Sequence, residues 1–418
     1  MSDVWERTAF VASRMIDGSG GPALSDVTVI VEDGWISDVL EGADESALSG
    51  ARVVRLDGCT LMPGLIDAHV HLTFSPDLAE DGSVQADLAS TSSEELILRA
   101  LRNARLALVG GVTTMRDLGG PGLTTLRLRD AIAAGDVVGP RLLVAGEPIT
   151  TTAGHGYFFG TCADSVDEVR KAVRRLCQQG VDVIKVMVTG GMMTPGSNPR
   201  APQFSDEELR VIVDEAHRLG RRVAGHILCS AGVRAAIQAG FDTIEHGWTI
   251  TGKTQDYEAG LGELIAERGI FGSVTAQRDL RRLLPHRSND LDELTGRLGP
   301  HRELLRAGVP LVVHSDAGPP GTRFERFAES VEVFMRGLGV GPEAAIQAAT
   351  GTAARALGID DRVGTITVGN AADLLAVEGD VSEDIAALRN VRLVTIAGRV
   401  AVDGGAVVER FAVAEETL

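Results

Sequence analysis

The chain has 418 residues, 44% hydrophobic and only 4% aromatic, with a formal net charge of −18. That length suits one large α/β barrel with a small domain, or two to three domains of average size. The acidity argues against nonspecific nucleic-acid binding and against anionic membrane surfaces.

The four cysteines (Cys59, Cys162, Cys177 and Cys229) form no CxxC pair. Reduced thiols of a cytoplasmic protein are expected, rather than a disulfide framework or a zinc knuckle. No secretory leader is expected at the N-terminus, and no apolar run reaches the ~18 residues of a membrane span.

Residues 7–12, 27–31, 35–39 and 52–56 read as short strands between Gly, Asp and Ser turns. Residues 373–377, 391–396 and 399–402 have the same texture at the other end. The two ends predict one small β-sandwich built from both termini.

Between them, strands alternate with amphipathic helices. Strands are predicted at 65–71, 113–117, 141–145, 183–188, 223–227, 243–246, 272–276 and 311–315. Helices are predicted at 93–109, 166–179, 205–219, 231–239, 291–307 and 341–357. Eight strands with helical crossovers predict an α/β protein of the (β/α)8 TIM-like barrel type. A doubly wound open sheet is the structural alternative, but its Gly-rich fingerprint is missing at the first βα turn. The expected domains are 1–62 and 358–418 for the sandwich and 63–357 for the barrel.

In such a barrel the chemistry sits at the C-terminal ends of the strands. The first strand, in Pro63-Gly64-Leu65-Ile66-Asp67-Ala68-His69-Val70-His71-Leu72, ends in two histidines. Residues i and i+2 of a strand share a face, so His69 and His71 point the same way, with Asp67 on that face too. Two such imidazoles make a half-site for a divalent metal.

An isolated HxH is common, and further ligands must follow. Strand four carries Lys185, one of only three lysines in the chain, inside an apolar run where a bare ammonium is costly. Strand five ends in His226, strand six in His246, and strand eight runs through His314 to Asp316. Alone, each is more often a satisfied core polar residue. Together they coincide with the active face of the predicted barrel.

This ordered set resembles the binuclear-metal branch of the amidohydrolase superfamily, over essentially the whole chain. The matching stretches are PGLIDAHVHL at 63–72, IKVMVTGG at 184–191, AGH at 224–226, DTIEHG at 242–247, SDAG at 315–318 and GTIxxGxxADLL at 364–375. The resemblance implies an N-carboxylated Lys185 bridging two divalent metal ions; the mixed histidine and carboxylate set makes zinc the expected metal, while geometry alone allows cobalt or manganese. It implies that His69, His71 and Asp316 hold one metal and His226 and His246 the other. Asp316 would also take the proton of a metal-bridging water attacking the substrate.

Within that superfamily the sequence looks most like members that cleave amide-type bonds: Xaa-Pro and Xaa-Arg dipeptidases, ochratoxin-type amidases, and phenylurea or carbamate hydrolases. The expected activity is therefore hydrolysis of a C–N bond in an amide, dipeptide, urea or carbamate of a small-molecule substrate, by a homo-oligomer. A mononuclear deaminase is the alternative. It is disfavoured because deaminases of the superfamily typically lack the strand-four lysine and often carry HxxE after strand five, where this chain reads His226-Ile227-Leu228-Cys229. A non-catalytic barrel is the third reading, against which the intact ligand set argues.

His155, in the loop after strand three, is expected to touch substrate or stabilise the oxyanion, since loops on this face carry specificity. His314 is expected behind the ligands, His217 on an outer helix, and His286 and His301 at the surface. The loop at 190–204 exceeds a simple connector. With Met192, Met193, Tyr157, Phe158 and Phe159 it is expected to wall an apolar pocket. Arg323 reads either as a carboxylate anchor or as an exposed loop arginine.

Overall fold

Parallel strands predominate through the middle of the chain because their residues are apolar on both faces, the pattern of strands covered by helices. Leu65–Val70, Val112–Asp117, Val183–Met187, Thr243–His246 and Leu311–His314 are buried at every position. Arg141–Val144, Arg222–Ile227 and Phe271–Thr275 supply the other three predicted strands. The coordinates are a computed structural model that describes residues 7–42, 48–79, 82–248, 257–276 and 298–408.

Leu65–Val70, Val112–Asp117 and Arg141–Val144 form one parallel sheet. The other five form another, extended by the two-residue strands Ile149–Thr150 and Thr161–Cys162. The two sheets meet at a parallel bridge between Val70 and Ala317. There the His71 N–H donates to Ala317 O and the Asp316 N–H to His69 O. At the other junction the Asp182 N–H donates to Val144 O, and the Asp182 carboxylate accepts from the Val144 N–H at 2.9 Å.

Serines cap several of the helices. Ser92 and Ser205 open Ser93–Val109 and Asp206–Arg218 with reciprocal capping boxes to Glu95 and Glu208. Ser165 caps Val166–Gln179, whose far end stops at Gly180 in the left-handed conformation. The helix predicted over 341–357 is two helices, Pro342–Ala348 and Gly351–Leu357. The break falls at Thr350, whose hydroxyl bonds back to Ile346 O at 2.7 Å. The next residue must be glycine, because a Cβ there would lie 2.5 Å from Gly18 O. The predicted helix over 291–307 is described only as Gly299–Arg306; the rest lies outside the described residues. Helices Val84–Ser90, Thr124–Ala134, Leu261–Glu267 and Phe327–Leu338 were not expected.

Both termini contribute strands to one sheet, where a small sandwich was expected. Its eight strands run in the order Ala406–Val407, Arg399–Asp403, Val391–Ile396, Leu374–Glu378, Arg52–Pro63, Arg7–Met15, Leu24–Glu32, Trp35–Glu41. The two ends of the chain join where Leu375 pairs antiparallel with Met62. Hydrogen bonding makes this a single continuous sheet. Phe10, Val29, Leu61 and Leu374 share a core of their own, whereas Leu375, Val377, Val394 and Val402 join the main core beneath the parallel strands. The sheet thereby anchors the start of the strand that carries His69. No helix of the described residues is long and apolar enough to cross a membrane.

Candidate metal centre

The strand-one histidines leave the sheet edge on one side, as their i, i+2 spacing requires. His69 Nδ1 lies 3.1 Å from Glu245 Oε2, and His71 Nδ1 lies 2.8 Å from the Gly119 carbonyl. A carboxylate and a carbonyl only accept, so both rings carry their proton on Nδ1 and offer the Nε2 lone pair. Those Nε2 atoms stand 3.7 and 3.6 Å from the same Asp316 Oδ1.

His246 and Asp316 reach the site by a different route. Both take left-handed backbone, with φ of 68° and 52°. This breaks the strand alternation, so that Glu245 and its neighbour His246 both contact His69. The His246 ring lies 5.0 Å from that of His69 and 4.8 Å from that of His226, centroid to centroid. Its Nδ1 touches the Thr275 hydroxyl at 2.7 Å. The loop histidine His155 lies 4.5 Å from the His226 ring, with its Nδ1 3.0 Å from the Thr194 hydroxyl.

Lys185 stands among these rings: its charge acts on His69, His71, His155, His226 and His246. It is 1% exposed, and its Nζ has no hydrogen-bond partner. Burial pulls its ammonium down to about 8, against the attraction of Glu245. Burial likewise holds His69, His226 and His246 well below the usual imidazole range, and His71 and His155 at about 4. These are neutral imidazoles, the form that binds metals.

The structure therefore brings together every expected site residue: His69, His71, Lys185, His226, His246, Asp316 and His155. Buried Nε2 of His226 and Nζ of Lys185 are both without partners, a costly state unless something else meets them. Ligand atoms of His69, His71 and Asp316 lie within 4.8 Å of one another, as do those of His69, His246 and His314. A set of neutral imidazoles, a carboxylate and two orphaned donor atoms fits a divalent metal site.

His314 backs His69, its ring stacked at 4.7 Å, with Nε2 3.0 Å from Thr275 Oγ1. His217 is on an outer helix, paired with Asp242 at 2.8 Å. His301 is not at the surface: it is 4% exposed, and its Nε2 donates to the backbone carbonyl of His246 at 2.9 Å. The turn after His246 needs a buried donor there, and the Arg-rich sequence around His301 hid it. His286 lies outside the described residues.

The loops are tied to each other. Gln203 Oε1 accepts from the His155 N–H at 2.7 Å, and its amide donates to Met187 O at 2.7 Å. Phe159 is buried with Phe74 and Met187; Phe158 and Met193 pack partly against them. Tyr157 and Met192 are exposed. Phe74 stacks on His71 at 4.7 Å. Arg323 bonds the Asp77 carboxylate at 2.9 Å, within the mouth of the loops after strands one and eight.

Sequence reasoning missed Glu245 and Arg116 as parts of this centre. Arg116 Nη2 bonds Glu245 Oε1 at 2.6 Å, and its Nε bonds Ala68 O at 2.7 Å. Burial pushes the Glu245 carboxyl up, but Arg116 and Lys185 outweigh it and hold the group low. Asp67, expected to share the face of the two imidazoles, instead directs its carboxylate to Ser315 and the backbone N–H of His69.

The chain belongs to the amidohydrolase family, whose model matches residues 60–401; it is a hydrolase of that family. It is 32% identical to ochratoxinase from Aspergillus niger, over 93% of this chain and 84% of that one. The solved structure of A. niger ochratoxinase matches with a TM-score of 0.83 at 29% identity, covering 96% of this chain and 97% of that one. A Xaa-Pro dipeptidase with bound methionine matches with a TM-score of 0.83 at 28% identity, covering 95% of this chain and all (100%) of that one.

Proposed function

We propose that this protein hydrolyses a C–N bond of an amide, dipeptide, urea or carbamate at a site holding two divalent metal ions, most simply zinc. The observation that carries the reading is the buried, partnerless pair of Lys185 Nζ and His226 Nε2 inside a ring of neutral histidines. In this reading the parallel strands close as a (β/α)8 barrel over 63–357, with the second domain built from 1–62 and 358–418.

His69, His71 and Asp316 would hold one metal, His226 and His246 the other, and an N-carboxylated Lys185 would bridge them. Such ions, when bound, lower the pKa of water and polarise a carbonyl. The chain supplies the rest. Asp316, whose side chain is 22% exposed where the other ligands are nearly closed off, is positioned to accept the proton of the attacking water and return it to the leaving nitrogen. His155, fixed by Thr194 and Gln203, is placed to steady the carbonyl oxygen as it gains charge.

Phe74 and Phe159 beside the His71 ring favour a substrate with an apolar or aromatic group. The likeness to an ochratoxinase and to a Xaa-Pro dipeptidase supports a substrate of amide or dipeptide type. The test is a screen of dipeptides, N-acyl amino acids and aryl ureas against the parent and His155→Ala. Turnover of one of these classes, reduced in the variant with folding intact, is expected; turnover of none of them overturns the proposed substrate class.

A further inference from the structure

The His69 ring is gripped by a chain of buried charges that no ligand count includes. Glu245 Oε2 faces His69 Nδ1 at 3.1 Å. Its other oxygen, Oε1, receives Arg116 Nη2 at 2.6 Å and the Thr243 hydroxyl at 2.6 Å. Arg116 is itself held by Ala68 O, one residue before His69. Arg116 and Glu245 are 2% and 0% exposed, so no water competes for these bonds.

We infer that Glu245 is a positioning residue that locks the His69 proton on Nδ1, and that Arg116 and Thr243 fix which carboxylate oxygen does so. Nε2 is then the free lone pair on the side of Asp316. The inference rests on His69 acting as a ligand only in its last step; the proton's location stands by itself.

The geometry makes an unusual demand on Glu245→Gln. Arg116 only donates, so the amide oxygen of the variant must take the Oε1 place. The amide NH2 then faces His69 Nδ1, which has to accept. The ring proton moves to Nε2, the atom a metal needs free. A near-isosteric change thus inverts one tautomer, which general loosening of the fold does not do. Outer partners of this kind typically contribute 10–100-fold to metal affinity.

The test uses the full chain labelled with 15N-histidine, treated with chelator, with His69→Asn to assign the His69 signals. The nitrogen shifts of neutral histidine report which atom carries the proton. The parent is expected to show Nδ1–H and Glu245→Gln to show Nε2–H. Nε2–H in the parent overturns the inference whether or not the variant folds. Nδ1–H in a folded Glu245→Gln overturns it as well.

Zinc titration of the same two samples gives the second arm. Binding weakened by roughly 10–100-fold in Glu245→Gln supports the positioning role, and equal binding overturns it. A parent that shows Nδ1–H yet binds no zinc upholds the lock and overturns the metal reading, so the two fail separately.

Discussion

Asp67 holds Ser315 by two bonds, accepting its backbone N–H at 3.0 Å and its hydroxyl with the other oxygen. The Ser315 hydroxyl oxygen in turn accepts from the Ala317 N–H at 3.0 Å. Strand one thereby clamps the turn in which Asp316 takes its φ of 52°, a strained value for a residue with a side chain. Asp67→Ala leaves two buried donors of Ser315 unmet, at about 1–3 kcal/mol each. The expected outcome is a loss of about 2–6 kcal/mol in urea unfolding, with activity falling more than in an equally destabilised variant elsewhere. A change below ~0.5 kcal/mol contradicts the clamp.

Gly191 is smooth-faced because His155 needs the space. A Cβ at 191 would lie 2.5 Å from the His155 ring, so Gly191→Ala must displace the ring or the loop. Misplacing a catalytic group by about 1 Å costs up to ~100-fold. Turnover is expected to drop by 10–100-fold with thermal stability nearly kept, measured on the substrate that the screen identifies. Full turnover in Gly191→Ala removes His155 from the chemistry.

Much of this was legible in the sequence. His69, His71, Lys185, His226, His246 and Asp316 fall at strand ends, where a barrel puts its chemistry, and alternation alone aims His69 and His71 together. Glu245 was harder. Strict alternation turns it away from its neighbour His246, and only the left-handed backbone of His246 lets both touch His69. Arg116 lies 129 residues from Glu245, a pairing that no local pattern carries. The single sheet of the small domain depends on Met62 meeting Leu375, again a contact across the whole chain.

A cluster of Glu215 with two exposed arginines gives a pH dependence away from the candidate metal centre. Arg174 and then Arg218 hold the Glu215 carboxyl down to about 2, from a usual 4.5. A carboxyl whose folded pKa is depressed stabilises the fold above about 4.5 and loses that contribution as pH falls toward 2. Unfolding free energies at pH 7, 4.5 and 3 are expected to fall less steeply below 4.5 in Glu215→Gln than in the parent. Parallel slopes contradict the assignment.

In the proposed function the protein holds two metals at a site that depends on Lys185. The most direct measurement is metal content per chain, by elemental analysis of protein purified without chelator, beside Lys185→Ala. About two metals are expected in the parent and marked loss in the variant, since in the proposed function Lys185 would hold both. One metal per chain, unchanged without Lys185, would contradict it.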